Sequence, residues 1–137
     1  MIGPMITFVG MAHPWMCDTN AHVNVRHYMG FFDDASFQLL SAIAGDSDTD
    51  FGWADVRCEI AYRREITAGT PLTIHSHITR VGRTSLAYAH RLVGSVDKEL
   101  RAEAETVSVR FDLALRKATA IDAAARKRAE ALLIQLA

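Results

Sequence analysis

The sequence predicts an α+β fold in which an antiparallel sheet wraps one long central helix. Three observations carry this. Apolar residues recur at helical spacing over 24–44, the period changes to two after Trp53, and four long strand-like runs then follow with only short turns between them. The length of 137 residues fits one domain, 1–137, with room for a self-sufficient core.

Residues 5–12 are β-branched and apolar enough for a first strand, which ends at His13-Pro14 because the residue before proline is pushed to extended geometry. A loop over 15–23 leads into the helix. Val25, Met29, Phe32, Leu39, Leu40 and Ile43 form its broad apolar face, and Gly45 supplies a C-terminal stop. So much apolar surface on one helix, with Phe31 and Phe37 added, predicts enclosure by the sheet. The acidic segment 46–50 reads as a solvated loop; a calcium loop needs a longer ligand ladder closed by a bidentate carboxylate.

The strand-like runs are 56–66, 71–81, 84–96 and 100–115, joined by Ala68-Gly69-Thr70, Gly82-Arg83 and Asp97-Lys98-Glu99. Connections this short imply hairpins or a meander, hence an antiparallel sheet of five to six strands with the first strand included. Asp122 is an N-cap candidate for a terminal helix over 123–136, rich in alanine and leucine. One helix covers only part of one face of such a sheet, and the sheet has edges to hide. Both needs predict a homodimer or homotetramer.

Composition excludes several partners. With 15 basic and 16 acidic residues the net charge is -1, so neither nucleic acid nor an acidic tail is indicated. No run approaches the ~20 apolar residues that span a bilayer, and residues 1–8 lack a basic region followed by an apolar stretch, so no membrane partner and a cytoplasmic location are expected. Cys17 and Cys58 cannot make a disulfide framework and read as free thiols.

The chemistry concentrates in Trp15-Met16-Cys17-Asp18-Thr19-Asn20-Ala21-His22-Val23-Asn24-Val25 and the helix start that follows. The first amides of a helix lack internal partners and carry partial positive charge, which suits a carbonyl oxygen that becomes an oxyanion during acyl transfer. A nearby carboxylate, Asp18, can attack that carbonyl or activate water. The structural alternative is that Asn20 and Asn24 serve as turn and capping residues, Asp18 orders the loop and His22 packs beside the helix. Asp33 and Asp34 diverge by about 100° around the helix, so one faces the site or both are solvated. His75 and His77 share a strand face, but no third ligand accompanies them and no metal is assigned. Cys17 lacks an evident paired base for nucleophilic work. Arg63, Arg64, Arg80 and Arg83 are candidates for holding phosphate groups of a ligand, since guanidinium forks suit phosphate.

Asp18-Thr19-Asn20-Ala21-His22-Val23-Asn24, then Tyr28 and Phe31-Phe32-Asp33-Asp34-Ala35-Ser36, resembles the signature of the hot-dog-fold acyl-CoA thioesterases of the 4-hydroxybenzoyl-CoA thioesterase type. The Asp-x-Asn-x-His-Val-Asn form is also similar to plant acyl-carrier-protein thioesterases. A weaker likeness runs through residues 59–66 and 78–85. What the resemblance implies is a hot-dog fold and hydrolysis of an acyl-CoA thioester, with Asp18 as nucleophile or general base and oxyanion amides near Asn24 and Val25. Asn20, His22 and Asn24 would orient water or the carboxylate, while Trp15, Tyr28, Asp33 and Arg83 are the expected substrate contacts. No cofactor is implied, because coenzyme A is part of the substrate. Two departures stand out: Ala21 replaces the usual glycine, and Cys17 replaces a frequent acidic residue. On the same fold, a hydratase or dehydratase and a non-catalytic acyl-CoA binding module are the alternatives. The acyl group itself is open; an aromatic wall with an acidic residue, as from Trp15, Trp53 and Asp33, would suit a cationic one.

Overall fold

The computed structural model describes residues 4–45 and 50–134. Strand β1 (Met5–Met11) leads through a short 3-10 turn (Pro14–Met16) to helix α1 (Val25–Ala44), followed by β2 (Phe51–Tyr62), β3 (Pro71–Val81), β4 (Ser85–Gly94), β5 (Leu100–Asp112), the two-residue β6 (Lys117–Ala118) and helix α2 (Ala123–Ala131). The sheet has six antiparallel strands in the order β1-β3-β4-β5-β2, with β6 on β5. It curls around α1, which gives the α+β hot-dog arrangement.

The expected elements are present with shifted ends. β2 begins at Phe51, five residues before the expected start at 56, and stops at Tyr62. α2 ends at Ala131, and residues 135–136 of the expected helix, like 46–49 of the acidic loop, lie outside the described residues.

Helix α1 buries Tyr28, Phe31, Phe32, Ala35, Ser36, Leu39, Leu40 and Ile43 against the sheet. These recur at three- and four-residue steps, so they form one stripe. Val25, Met29 and Phe37 do not join it: they are 59%, 48% and 68% exposed. Spaced at multiples of four residues, they make a second apolar row on the flank of α1, outside the buried stripe. Expecting Val25 and Met29 on the buried face was therefore wrong, because a three-phenylalanine helix is apolar over more than its core-facing arc. At the C-terminal end Gly45 adopts φ +85, and Arg128 of α2 donates to the carbonyls of Ile43 at 2.6 Å and Ala44 at 3.1 Å. A cation on those carbonyls satisfies groups that the helix leaves open.

One irregularity in β2 positions side chains. Asp55 pairs with Ser108 and Arg57 with Val107, so Val56 is an extra residue in the ladder. Such a bulge reverses the in-out alternation. Trp53 and Asp55 before it and Ile60 after it consequently face the same side, toward α1. No described helix is long and apolar enough to cross a membrane.

Candidate active site

The loop before α1 folds as a tight hairpin. Cys17 bridges Val23, the Asp18 N–H donates to His22 O at 3.1 Å, and the Ala21 N–H donates to Asp18 O at 3.0 Å. Three residues then separate the Asp18–His22 pair, a loop length that closes with its last residue in the left-handed region. That residue is Ala21, at φ +62. The position is one where glycine pays no steric penalty, which explains the glycine usual at this point in the resembling signature.

The hairpin presents the Asp18 carboxylate to the start of α1. Oδ1 accepts from the Asn20 backbone N–H at 2.8 Å, and Oδ2 accepts from Asn24 Nδ2 at 2.9 Å. These two hydrogen bonds, the Asn20 amide first, hold the Asp18 carboxyl below the ordinary aspartate range, and nearby His22 adds in the same direction. Asn24 serves both elements, since its Oδ1 also accepts from the Arg26 N–H at 3.0 Å and caps the helix.

The amides of the first turn differ. Asn24 N–H is committed to Met16 O at 2.9 Å, and His27 N–H to Asn24 O at 3.0 Å. No described residue accepts from the Val25 N–H. An uncommitted helix amide, one residue beyond the side chain that holds Asp18, is suited to a developing negative oxygen.

The other expected residues separate into groups. His22 Nδ1 pairs with Glu65 Oε2 at 3.1 Å and is not hydrogen-bonded to Asp18. Asn20 contributes through its backbone, and no described residue bonds its side chain. Tyr28 is buried, edge-on to Tyr62 at 5.0 Å, and both line a cleft of about 280 Å³ with His22, Val25, Arg63 and Arg64. Burial pushes the Tyr28 phenol up. Trp15 is 70% exposed, stacked on His13 at 6.0 Å and edge-on to His27 at 5.4 Å. Arg83 sits in the β3–β4 turn, where its carbonyl accepts from Ile121, at the far end of the fold from the cleft. Among the arginines, Arg63 and Arg64 are the ones beside the Asp18 loop, each paired with a glutamate, Glu103 and Glu99.

Asp33 belongs to a different place, a cavity of about 400 Å³ between the C-terminal half of α1 and β2, shared with Ser36, Phe37, Trp53, Asp55 and Arg110. Sequence reasoning singled out Trp53 and Asp33 but missed Ser36, Asp55 and Arg110. Their signal is a polar residue on an otherwise apolar inward row, visible only once the bulge at Val56 sets which way β2 faces. Arg110 stacks over Trp53 at 4.8 Å and Phe51 at 5.6 Å. Behind the cavity a buried polar chain crosses the core. Ser36 Oγ meets His90 Nε2 at 2.9 Å, His90 Nδ1 meets Ser76 Oγ at 2.5 Å, and Ser76 meets Thr7 at 2.7 Å. Burial drives the His90 imidazole down to about 4, so it is neutral at physiological pH. Among the described residues no three His, Cys, Asp or Glu gather to hold a metal ion.

The sequence model of the thioesterase-like superfamily matches residues 12–129. No curated protein matches the chain. Among solved structures, a predicted thioesterase from Bacillus stearothermophilus is 18% identical, with 95% of this chain and 97% of that one covered at a TM-score of 0.85. A thioesterase from Thermus thermophilus, complexed with coenzyme A and Zn, is 22% identical, with 96% of each chain covered and a TM-score of 0.81. Slr0204 from Synechocystis, a 1,4-dihydroxy-2-naphthoyl-CoA thioesterase, is 18% identical, with 93% and 96% covered and a TM-score of 0.78. At these identities the likeness is one of fold.

Proposed function

The chain belongs to the thioesterase-like superfamily, and on that premise we propose that it hydrolyses an acyl-CoA thioester to the free acid and coenzyme A. One observation carries the reading: the Asp18 carboxylate, fixed by Asn20 N–H at 2.8 Å and Asn24 Nδ2 at 2.9 Å, stands beside the uncommitted Val25 amide. The Val25 N–H takes the thioester oxygen as it gains charge. Asp18, ionised at neutral pH, either attacks the carbonyl carbon to give a mixed anhydride that water then opens, or removes a proton from the attacking water. The C–S bond breaks and the sulfur leaves as the coenzyme A thiolate, which takes a proton from water in the nucleophilic route or the proton that Asp18 removed in the general-base route. Asn24 is a positioning residue in this scheme, since it orients the carboxylate and the helix start together. Arg63 and Arg64 meet the coenzyme A phosphates at the mouth of the cleft.

The working unit we propose is a homodimer joined through β2. This strand is one of the two edges of the sheet, β1 being the other; it is twelve residues long, with Val56 62% exposed, and it runs beside the exposed row of Val25, Met29 and Phe37. Antiparallel pairing of two β2 edges sets the Tyr62 end of one against the Phe51 end of the other. The Asp18 loop lies at the Tyr62 end, where Val23 N–H donates to Ile66 O at 2.8 Å, and the α1–β2 cavity lies at the Phe51 end. Each cavity is then served by the Asp18 loop of the second copy. The proposed location is cytoplasmic, in keeping with free Cys17 and Cys58.

The test is a thiol-release screen of the purified protein against short, long, aromatic and cationic acyl-CoAs, with Asp18→Asn alongside. Release by the wild type that Asp18→Asn abolishes supports the reading. Binding of acyl-CoA without release above the buffer rate overturns it in favour of a binding module.

A further inference from the structure

Ser36 belongs to the buried stripe of α1, one turn from Phe32 and from Leu40. A serine inside a helix often turns its hydroxyl back to the carbonyl four residues earlier; here it meets His90 Nε2 at 2.9 Å. The hydrolysis proposed at Asp18 makes no use of this pair.

The direction of the hydrogen bonds decides which nitrogen of His90 carries the proton. Thr7 Oγ1 donates to Ile74 O at 3.4 Å and so accepts from Ser76 Oγ at 2.7 Å. With its own proton committed to Thr7, Ser76 accepts from His90 Nδ1–H at 2.5 Å. Nε2 keeps a lone pair, and the Ser36 hydroxyl donates to it. The ring is fixed in this orientation. Phe32 stacks on it at 5.8 Å, Tyr88 meets it edge-on at 5.2 Å, and Ser76 is its partner across the β3–β4 register. A hydroxyl, a base and a group that orients the base therefore stand in sequence. Ser36 also lines the cavity of about 400 Å³ between α1 and β2. So does Trp53, whose indole Nε1–H is buried with no hydrogen-bond partner among the described residues. Such an N–H suits an oxygen that gains charge.

We infer that Ser36 is a nucleophile in its own right, activated by His90, and that it gives the protein a second reaction, the hydrolysis of small uncharged aryl esters through an acyl-Ser36 intermediate. Ser36 Oγ bonds to the ester carbonyl carbon as its proton passes to Nε2, and the carbonyl electron pair moves onto the oxygen, which the Trp53 N–H receives. The pair returns, the C–O bond to the aryloxy group breaks, and the phenol leaves with the proton from Nε2. Water then attacks the acyl-Ser36 ester with Nε2 as base again; the carboxylic acid leaves and Ser36 regains its proton. The leaving group is an aryloxide because burial makes His90 a weak base, and a weak base requires a group that departs with little help. Anionic esters are repelled by Asp33 and Asp55 on the same cavity. No residue of the Asp18 loop takes part, so this reaction and thioester hydrolysis are tested separately.

The experiment treats the purified protein with phenylmethanesulfonyl fluoride, a small uncharged probe that sulfonylates activated serines, releases fluoride and does not turn over. Intact mass and peptide mapping should place a single sulfonyl group per chain on Ser36. His90→Gln can still bond Ser36 and Ser76 but supplies no base, and it should slow this labelling by roughly 100-fold. 4-Nitrophenyl acetate should be hydrolysed with a burst of 4-nitrophenol, a turnover that the sulfonylated protein and Ser36→Ala both lose. No label, or label only on other residues, overturns the assignment of Ser36, as does labelling that His90→Gln leaves as fast. Ester turnover that is absent, or that survives complete sulfonylation, overturns the second reaction. Labelling and mapping of the wild type decide the matter even if a variant does not fold.

Discussion

Asn24 ties the Asp18 carboxylate to the helix that faces it: Nδ2 donates to Asp18 Oδ2 at 2.9 Å while Oδ1 accepts from the Arg26 N–H at 3.0 Å. One planar amide thereby fixes the distance between a carboxylate and the first turn of α1. Asn24→Ala is expected to cost about 1 kcal/mol of stability through the lost cap and to lower kcat by up to about a hundredfold through misplacement of Asp18. Asn24→Asp keeps the cap but sets a second carboxylate against Asp18. It should recover the denaturation midpoint without recovering the rate; a variant that recovers both removes Asn24 from the positioning role.

The acid limb of kcat/KM should lie below the ordinary aspartate value of about 4. The proposed reaction needs Asp18 ionised, and the Asn20 amide and Asn24 side chain hold its carboxyl down. Activity therefore stays flat as pH falls through 5 and is lost only as Asp18 protonates. In Asn24→Ala the limb moves up toward the ordinary value. A wild-type limb above pH 5 assigns the rate to some other group.

Ala21→Gly should stabilise the protein. The left-handed φ of +62 costs an alanine about 1–2 kcal/mol, against about 0.5–1 kcal/mol for the extra freedom of glycine in the unfolded chain. A net gain of about 0.5–1 kcal/mol is expected from urea unfolding. A lower midpoint would show that the loop does not keep this geometry in solution.

His90 sets a pH window on stability. Burial favours the neutral ring, with the folded value near 4 against an ordinary 6.5, so the unfolded chain takes up the proton first. The folded state loses ground as pH falls from about 6.5 to about 4, by roughly 3 kcal/mol in all, and the loss levels off below that. His90→Gln removes this contribution and leaves that of the carboxylates. Urea midpoints of the two proteins at pH 7, 5.5 and 4.5 should therefore converge toward acid; parallel curves contradict the buried neutral histidine.

Val56→Lys puts a charge on the free edge of β2, a substitution that blocks strand pairing between copies. Sedimentation is expected to give twice the chain mass for the wild type and the single chain mass for the variant, with thiol release lost alongside. A variant that stays monomeric yet fully active denies the second copy any part in the site.

The legible parts of this protein are those governed by nearby residues. Asn24 as N-cap, Asp122 as N-cap of α2 and the Asp18 turn rest on contacts within six positions of chain, which residue type and spacing report directly. The strand runs are equally local, because alternation is a property of each segment. Val25 and Met29 were misassigned to the buried face since periodicity defines a stripe but not which of two apolar stripes meets the sheet. Arg83 was offered as a phosphate contact because guanidinium forks suit phosphate; spacing does not report where the β3–β4 turn places it, which is away from the cleft beside the Asp18 loop.

By itself the sequence determined the order of elements, the antiparallel sheet around one helix, and the place of Asp18 in a short loop before the helix start, because each depends on local geometry. Only the tertiary structure decided that Asp33, Asp55 and Arg110 share one cavity, that Val56 is a bulge which turns Asp55 inward, and that His90 is sealed in the core. Those relations join residues tens of positions apart. They are fixed by how strands register and pack, and no local pattern in the chain encodes that.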